Sequence, residues 1–217
     1  MSGYPDGADV AWTGVVLAGG GSRRFGGVAK TRLPVCGRTL VQWSLDALAP
    51  ITTARLLVGG RWSAHEHGGD VRHLPDCYPD AGPLGGLLTA LEAIDTSHAL
   101  VVAADLPFIS RRLLVEVQRA GAQAVVACVQ HPDGRFALCL SVRRDAAPEV
   151  ARGWARGDRR IRDLLQLAPC RLVAADPATA MCALWNVNDP LTYARALVMA
   201  EHDCPASYFT DPTESNR

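Results

Sequence analysis

Apolar runs alternate with amphipathic stretches along the first half of the chain. Short apolar runs bounded by glycine, proline or polar residues predict four β-strands, at Trp12–Leu17, Arg55–Val58, Val71–Leu74 and Ala99–Ala104. The last run is apolar throughout, as expected of a strand with both faces covered. Strands that alternate with helices in this way predict a mainly parallel sheet.

Apolar residues at helical spacing fill the gaps between these strands. Pro83 suits the first turn of a helix that runs through Ile94, and Ser110 suits the N-cap of the next helix. Asp189 and Pro190 begin the last helix, which extends to about Ala200. Two further helices are marked by apolar positions: Leu40, Trp43, Ala47 and Leu48 in one, and Ile161, Leu164, Leu165 and Ala168 in the other.

The pattern changes after residue 124. Two strand-like runs, Ala124–Val129 and Phe136–Val142, flank the turn-forming segment His131–Arg135, which predicts an antiparallel hairpin. We therefore expect an α/β fold with one domain over residues 10–200. It would have three α/β/α layers and a Rossmann-like, mainly parallel sheet, with an antiparallel hairpin insertion in the C-terminal half. Residues 1–9 and 202–217 are polar and are expected to be flexible termini.

Composition and charge narrow the function classes. The chain has 217 residues, of which 48% are hydrophobic and 20% charged, and its formal net charge is zero. A nucleic-acid surface needs a basic excess that is lacking here, and no apolar run approaches the roughly 18 residues of a membrane span. Together with a polar N-terminus, this predicts a cytoplasmic protein that binds neither nucleic acid nor membrane.

The cysteines and histidines indicate neither a disulfide framework nor a metal site. Seven cysteines are present and none forms a C-x-x-C pair, so we expect them to be mostly buried as small apolar side chains. His65 and His67 lie in a polar stretch with no third ligand nearby, which favours a solvated loop.

Lys30 is the only lysine in the chain, against 21 arginines. It ends a stretch in which five glycines fall between residues 19 and 27, directly after the first predicted strand. Exposed backbone N–H groups in such a turn bind anions, and a compact ammonium contacts phosphate in a way that the planar guanidinium does not copy. The stretch therefore predicts a phosphate site, although an arginine-rich composition alone could leave one lysine by chance.

Two familiar phosphate-binding motifs fail on their spacing. A dinucleotide fingerprint, G-x-G-x-x-G, read from Gly19 requires glycine where Arg24 stands. A P-loop, G-x-x-x-x-G-K-[ST], read from Gly21 reaches Gly26 but continues with Gly27 instead of lysine. Neither a dinucleotide site nor a P-loop is predicted.

The stretch Leu17–Lys30 fits a different pattern, L-A-G-G-x-S-x-R-x-G-x(2,3)-K. It resembles the signature of nucleotidyltransferases that transfer a nucleoside monophosphate from an NTP to a phosphorylated acceptor. Within the MobA-like NTP transferase superfamily, it is most similar to the molybdenum cofactor guanylyltransferase (MobA) family. Further blocks that resemble this family follow in its order: Asp80–Leu87, Val101–Ile109, Gly157–Arg162 and Trp185–Pro190.

The resemblance implies transfer of GMP from GTP to the terminal phosphate of molybdopterin, with Mg²⁺ as the cofactor and pyrophosphate as the leaving group. It also implies transient contact with molybdoenzyme maturation proteins. Arg24, Lys30 and Asp105 would be the catalytic residues, with Asp105 as the metal ligand. The nucleotide-binding residues would be Leu17, Ala18, Gly19, Gly20, Gly21, Lys30, Asp76 and Asp105.

Polar side chains are expected at the carboxyl ends of the strands, where open α/β sheets bind their ligands. Asp105 follows the fully apolar strand and suits Mg²⁺, with a turn cap as the alternative. Asp76 follows another strand and would contact the nucleotide, but it also suits a turn. Asn186 and Asn188, predicted on one face of a strand, would orient a metal-bound phosphate or the acceptor, or would bind local backbone groups.

Several positions depart from the family pattern. Phe25 stands where methionine is usual, Ala29 where aspartate often precedes the lysine, Gly59–Arg61 where an asparagine is typical, and Gly134–Leu138 where the acceptor loop carries proline. The sequence Leu-Ala-Gly-Gly favours GTP over CTP. Two alternatives stay open: a related nucleotidyltransferase that uses CTP or a sugar or polyol phosphate, and a nucleotide-binding protein without catalysis.

Overall fold

Most strands of the chain belong to one mixed sheet. The computed structural model describes residues 10–19, 25–26, 29–78, 82–166 and 169–202. Its strands are β1 (Trp12–Leu17), β2 (Pro34–Val35), β3 (Arg38–Thr39), β4 (Ala54–Val58), β5 (Val71–Leu74), β6 (His98–Ala103), β7 (Val126–Gln130), β8 (Phe136–Arg143) and β9 (Cys170–Ala174). The seven-stranded sheet has the order β5-β4-β1-β6-β8-β7-β9, and β2 pairs with β3 separately.

Helices connect and cover the strands. They are α1 (Leu40–Leu48), α2 (Ala64–His67), α3 (Gly82–Ala93), α4 (Arg111–Gly121), α5 (Ala147–Ala155), α6 (Ile161–Leu164), α7 (Pro177–Cys182) and α8 (Pro190–His202). Local sequence fixes where two of them begin. Thr39 and Gln42 form a capping box on α1, and the Ser110 hydroxyl accepts a hydrogen bond from the first turn of α4, as predicted.

The sheet is covered on both faces, so the predicted three-layer α/β/α fold is confirmed. Adjacent residues of β1 point to opposite sides: Val16 packs with α1 and α4, whereas Val15 packs with α3, α5 and α6. Both side chains are fully buried. Successive side chains of a strand point to opposite faces, and both faces are covered here. For this reason β1 and β6 are almost continuously apolar in sequence.

The predicted hairpin is present, and it is built into the main sheet. Strand β8 lies between β6 and β7 and is antiparallel to both, whereas β9 is parallel to β7. Strands β1, β4, β5 and β6 are mutually parallel. The carboxyl ends of six strands therefore reach the same edge of the sheet as the first residue of β8.

Some predicted elements need correction. Strand β9 and helices α5 and α7 were not predicted, and the helix expected around Ile161–Ala168 is the single turn α6, with Ala168 outside the described residues. Residues 1–9 and 203–217 also lie outside them. Only two of the six described cysteines, Cys128 and Cys139, are buried, so mostly buried cysteines were a wrong prediction. Burial raises the pKa of the Cys128 thiol to about 12.

Two negative expectations concern membranes and metals. No helix of the described residues is long and apolar enough to cross a membrane. His65 is exposed on the short helix α2 and not in a loop, and the described chain contains no cluster of three or more His, Cys, Asp or Glu side chains that could hold a metal ion.

Candidate active site

Four strand ends meet at the carboxyl edge of the sheet. The amide of Ala18, after β1, donates to the Val58 carbonyl of β4 at 2.8 Å, and the amide of Ala104, after β6, donates to the Leu17 carbonyl at 3.1 Å. The amide of Gly59, after β4, donates to the Leu74 carbonyl of β5 at 2.9 Å. These bonds hold the turns after β1, β4, β5 and β6 side by side.

The turn after β1 contributes backbone to this edge. Leu17 and Ala18 are buried in the core, so only their main-chain groups are available to a ligand, whereas Gly19 is exposed. Three predicted site residues, Gly20, Gly21 and Arg24, lie outside the described residues.

Lys30 and Asp105 meet at the centre of this edge. The Lys30 ammonium donates to the Asp105 Oδ2 at 2.5 Å, and both side chains are mostly shielded from solvent. The ammonium also lies 3.4 Å from the Val187 carbonyl and 3.4 Å from the Asn188 Oδ1. Oxygen atoms from two distant parts of the described chain therefore hold Lys30.

Two oxygen atoms of predicted site residues are buried without a hydrogen-bond partner among the described residues. They are the Asp105 Oδ1 and the Asn186 Oδ1. A buried oxygen without a hydrogen bond is costly, so each of these atoms is available to a partner that the described residues do not supply. Asp105 does not cap a turn with its side chain, because its other oxygen binds Lys30.

The prediction that Asn186 and Asn188 lie on a strand is wrong. Both residues lie in the connection between α7 and α8, which contains no strand. The segment is held in place because the Val187 amide donates to the Asp105 carbonyl at 3.0 Å and the Val187 side chain is fully buried. Asn188 nevertheless lies next to Lys30, and Asn186 is two residues away in the same connection.

The two carboxylate oxygens of Asp76 have different surroundings: one stabilises a local turn and the other lies beside Gly19. Its Oδ1 accepts a hydrogen bond from the Tyr78 amide at 2.9 Å, as in an Asx turn. Its Oδ2 lies 3.6 Å from the point that a Cβ on Gly19 would occupy. One carboxylate oxygen is thus used locally, while the other lies beside the backbone that ends β1.

A cavity of about 1180 Å³ adjoins these residues. Asn186 and Asn188 line it together with the β7–β8 hairpin, α6 and α7. Aromatic and aliphatic walls are provided by Phe136, Leu184 and Trp185, and cationic groups by Arg135, Arg160 and Arg162. Arg135 pairs with Asp133 at 2.7 Å and holds the pKa of that carboxyl below its usual value.

These three arginines were not predicted as site residues. The block Gly157–Arg162 contains two of them, but the residues themselves do not show which side chains face a cavity. The third, Arg135, comes from the hairpin turn, which the sequence presents as an ordinary connection. The arginines around Ile161, at the start of a predicted helix, were the available signal.

Comparison with known proteins defines the family. The profile of the MobA-like NTP transferase domain matches residues 14–177. The chain belongs to this family. A molybdenum cofactor guanylyltransferase of Xanthomonas euvesicatoria pv. vesicatoria is 33% identical over 191 residues, which cover 86% of this chain and 94% of that protein. As a member of the MobA-like NTP transferases, the chain is a nucleotidyltransferase.

Solved structures agree with the MobA-like fold. Molybdopterin-guanine dinucleotide biosynthesis protein A from Archaeoglobus fulgidus superposes with a TM-score of 0.72 at 22% identity, covering 88% of this chain and 99% of that chain. The manganese complex of Rv0371C from Mycobacterium tuberculosis gives a TM-score of 0.67 at 22% identity, covering 87% and 98%. At this level of identity the likeness concerns the fold.

Proposed function

We propose that this MobA-like nucleotidyltransferase transfers GMP from GTP to the terminal phosphate of molybdopterin and releases pyrophosphate. The observation that carries the proposal is the position of the Lys30–Asp105 pair. It lies at the carboxyl edge of the sheet, beside the glycine-rich turn and next to the cavity lined by arginines. The guanylyltransferase name of the Xanthomonas relative supports the same substrates.

The nucleotide belongs on the side of the glycine-rich turn. Backbone amides of residues 19–21 would hold phosphate oxygens, and Arg24 and Lys30 would compensate their charge. The Asp76 Oδ2 is an acceptor that suits the donors of a nucleoside, either the N1–H and 2-amino groups of guanine or the ribose hydroxyls.

The acceptor belongs in the adjoining cavity. A pterin is a flat, polar heterocycle, and the aromatic walls Phe136 and Trp185 suit stacking against such a ring. Phosphate requires charge-assisted donors, which Arg160 and Arg162 can provide. Asn186 and Asn188 line the cavity at the end nearest Lys30, where the acceptor phosphate would meet the nucleotide.

Asp105 is the proposed ligand for Mg²⁺. Its partnerless Oδ1 and that of Asn186 are hard oxygen donors, as Mg²⁺ prefers, and Mg²⁺ commonly combines one or two carboxylates with phosphate oxygens. Bound there, Mg²⁺ would supply charge compensation for the phosphates. The manganese complex of the mycobacterial neighbour supports a divalent metal in this fold.

The chemistry needs positioning more than a protein nucleophile. An oxygen of the acceptor phosphate attacks the α-phosphorus of GTP, a new P–O bond forms, and the bond to the β-phosphate oxygen breaks. The electron pair leaves with pyrophosphate, whose charge Lys30 helps to compensate. Binding the two phosphates on opposite sides of Lys30 and Asp105 brings the reacting atoms together.

Pyrophosphate release tests this proposal. The purified protein is incubated with Mg²⁺ and molybdopterin, and each of the four NTPs is added separately. We expect release with GTP alone. Release with CTP would overturn the base assignment, and turnover of a sugar or polyol phosphate without turnover of molybdopterin would overturn the acceptor. Binding of GTP without any turnover would indicate a nucleotide-binding protein that has lost catalysis.

A further inference from the structure

The loop that follows β4 lies directly against Gly19, the first residue of the glycine-rich stretch. A Cβ placed on Gly59 would stand 2.7 Å from the Gly19 amide nitrogen, closer than real Cβ atoms approach. The two backbones are thus in van der Waals contact, without room for a side chain between them. Residues 59–62 therefore form a wall of the proposed nucleotide site.

The backbone of this wall is held by a side chain of its own. Gly59 and Gly60 both adopt positive φ, at 85° and 70°, which glycine reaches freely but does not hold by itself. The Trp62 indole N–H donates to the Gly59 carbonyl at 3.1 Å. A Cβ on Gly60 would lie 2.5 Å from the same indole nitrogen, so the ring fills the space over this residue.

Arg32 fixes the indole and the end of the loop together. Its guanidinium lies over the Trp62 ring, 4.7 Å from the ring centroid, and it donates to the Arg61 carbonyl. The same group pairs with the Glu66 carboxylate at 2.8 Å. A planar guanidinium stacks and donates from its edge at once, which a lysine ammonium does not do.

Arg32 belongs to the same short turn as Lys30. Residues Lys30–Arg32 form one turn of 3₁₀-helix, closed by a hydrogen bond of 3.0 Å from the Leu33 amide to the Lys30 carbonyl. Thr31, between them, is buried. The Arg32 and Lys30 side chains are therefore attached to the same short turn of backbone.

We propose that Arg32 is a positioning residue that couples the nucleotide wall at residues 59–62 to the turn that carries Lys30. The inference rests on the proposed function and names a determinant of its base selectivity. Arg32 acts through Trp62 and the Arg61 carbonyl, and it contacts no reacting atom. Loss of Arg32 removes the contacts that hold the Trp62 ring and the Arg61 carbonyl next to the left-handed Gly59 and Gly60. The wall of the nucleotide site is then less well defined, so selectivity among bases falls together with affinity.

The test compares the Kd values of GTP, CTP and ATP, each with Mg²⁺, by calorimetry for the wild type and Arg32→Ala. We expect the Kd of GTP to rise about fivefold to tenfold and the preference for GTP over ATP to shrink. Arg38→Ala is the matched control, because Arg38 also lies over a tryptophan, Trp43, at 5.3 Å and pairs with Asp46 at 2.7 Å. Its Kd values should stay within about twofold of wild type.

Two conservative variants separate positioning from general stability. Arg32→Lys keeps a charge near Glu66 but loses the flat stacking group, so it should not restore base preference. Glu66→Gln keeps the stacking and should give a smaller loss than Arg32→Ala. An Arg32→Ala protein with wild-type Kd values would overturn the proposal, and so would equal losses for GTP and ATP with a lowered Tm.

The outcomes also distinguish this inference from the proposed function. A wild type that prefers CTP, with a preference that Arg32→Ala weakens, would support Arg32 as a positioning residue and refute GTP as the donor. A wild type that binds no NTP would refute both. A wild type that prefers GTP, with a preference unchanged by Arg32→Ala, would refute the inference alone.

Discussion

At the scale of residues, the site depends on contacts between distant positions. Lys30 and Asp105 are 75 positions apart, and Asn188 is 158 positions from Lys30. The identity of Lys30 and Asp105 as candidates could be predicted from a glycine-rich turn and from an apolar strand that ends in a carboxylate. Their direct pairing could not, because it follows from the parallel packing of β1 and β6.

We expect Lys30→Arg to lower kcat/KM for GTP about 100-fold or more, with the fold retained. The longer planar group would not reproduce the point charge that now lies among three oxygen atoms. Steady-state pyrophosphate release measures the effect, and far-ultraviolet circular dichroism checks the fold. Activity within about twofold of wild type would mean that the lone lysine is a compositional accident.

His98 gives a prediction about stability. Burial, followed by the nearby Arg143 charge, lowers the pKa of His98 below its usual 6.5, against a smaller opposing effect of Asp145. The unfolded chain therefore binds a proton before the folded chain does, so stability is present above about pH 6.5 and is lost as the pH falls below it. Trp12 packs against this imidazole, with ring centroids 4.6 Å apart.

Urea unfolding at about pH 7.5 and about pH 5.5 measures this contribution. We expect the free energy of unfolding of the wild type to fall between them and that of His98→Gln to fall less. The same substitution at the exposed His65 is the control. If the free energy of unfolding fell equally for His98→Gln and wild type between the two pH values, His98 would not be the source of the pH dependence.

At the scale of elements, apolar runs in the sequence predicted the bounds of the core strands well. Strands β1, β4, β5 and β6 lie within one residue of their predicted bounds. For β1, β4 and β6 the reason is that strands inside the sheet are buried and carry few polar residues. The edge strand β5 retains a buried Val71, whereas the edge strand β9 was not predicted because its residues are mostly exposed and burial imposes no pattern on them. The segment around Asn186 alternates like a strand, but its position is set by its contact with Asp105.

The turn after β4 allows a controlled test with two glycines. Gly59 and Gly134 have nearly equal positive φ, 85° and 83°, but only Gly59 is crowded, whereas a Cβ on Gly134 would meet nothing within 4 Å. Gly134→Ala should cost about 1–2 kcal/mol for the left-handed backbone. Gly59→Ala should cost about 1–3 kcal/mol more, because its Cβ would meet Gly19.

Urea unfolding measures both costs, and calorimetry with GTP shows whether nucleotide binding is lost with Gly59→Ala. Equal costs for the two variants would mean that the contact between Gly59 and Gly19 relaxes freely. In that case the turn after β4 would not be the rigid wall that the geometry indicates.

At the scale of the whole molecule, the proposed nucleotide site and the proposed acceptor cavity are built by different parts of the chain along one edge of the sheet. The antiparallel hairpin, α6 and α7 line the cavity, and none of its arginines could be assigned from local sequence. Their convergence depends on β8 lying between β6 and β7, which is a property of the complete sheet.

The double substitution Arg160→Ala with Arg162→Ala tests this division. We expect the KM for molybdopterin to rise about 10-fold to 100-fold and the KM for GTP to change little, because both arginines line the cavity and not the glycine-rich turn. Arg152→Ala, on α5 and paired with Glu149, is the control. A rise in the KM for GTP alone would show that these arginines bind GTP and not molybdopterin, which would contradict the prediction.

Transfer of label from GTP tests the central claim most directly. GTP carrying radioactive phosphorus at the α or at the γ position is incubated with Mg²⁺, molybdopterin and either wild type or Lys30→Ala. We predict that the α label enters the molybdopterin product and the γ label leaves in pyrophosphate, with both events lost in the variant. Release of the γ label as orthophosphate, with the α label left in GDP, would contradict nucleotidyl transfer.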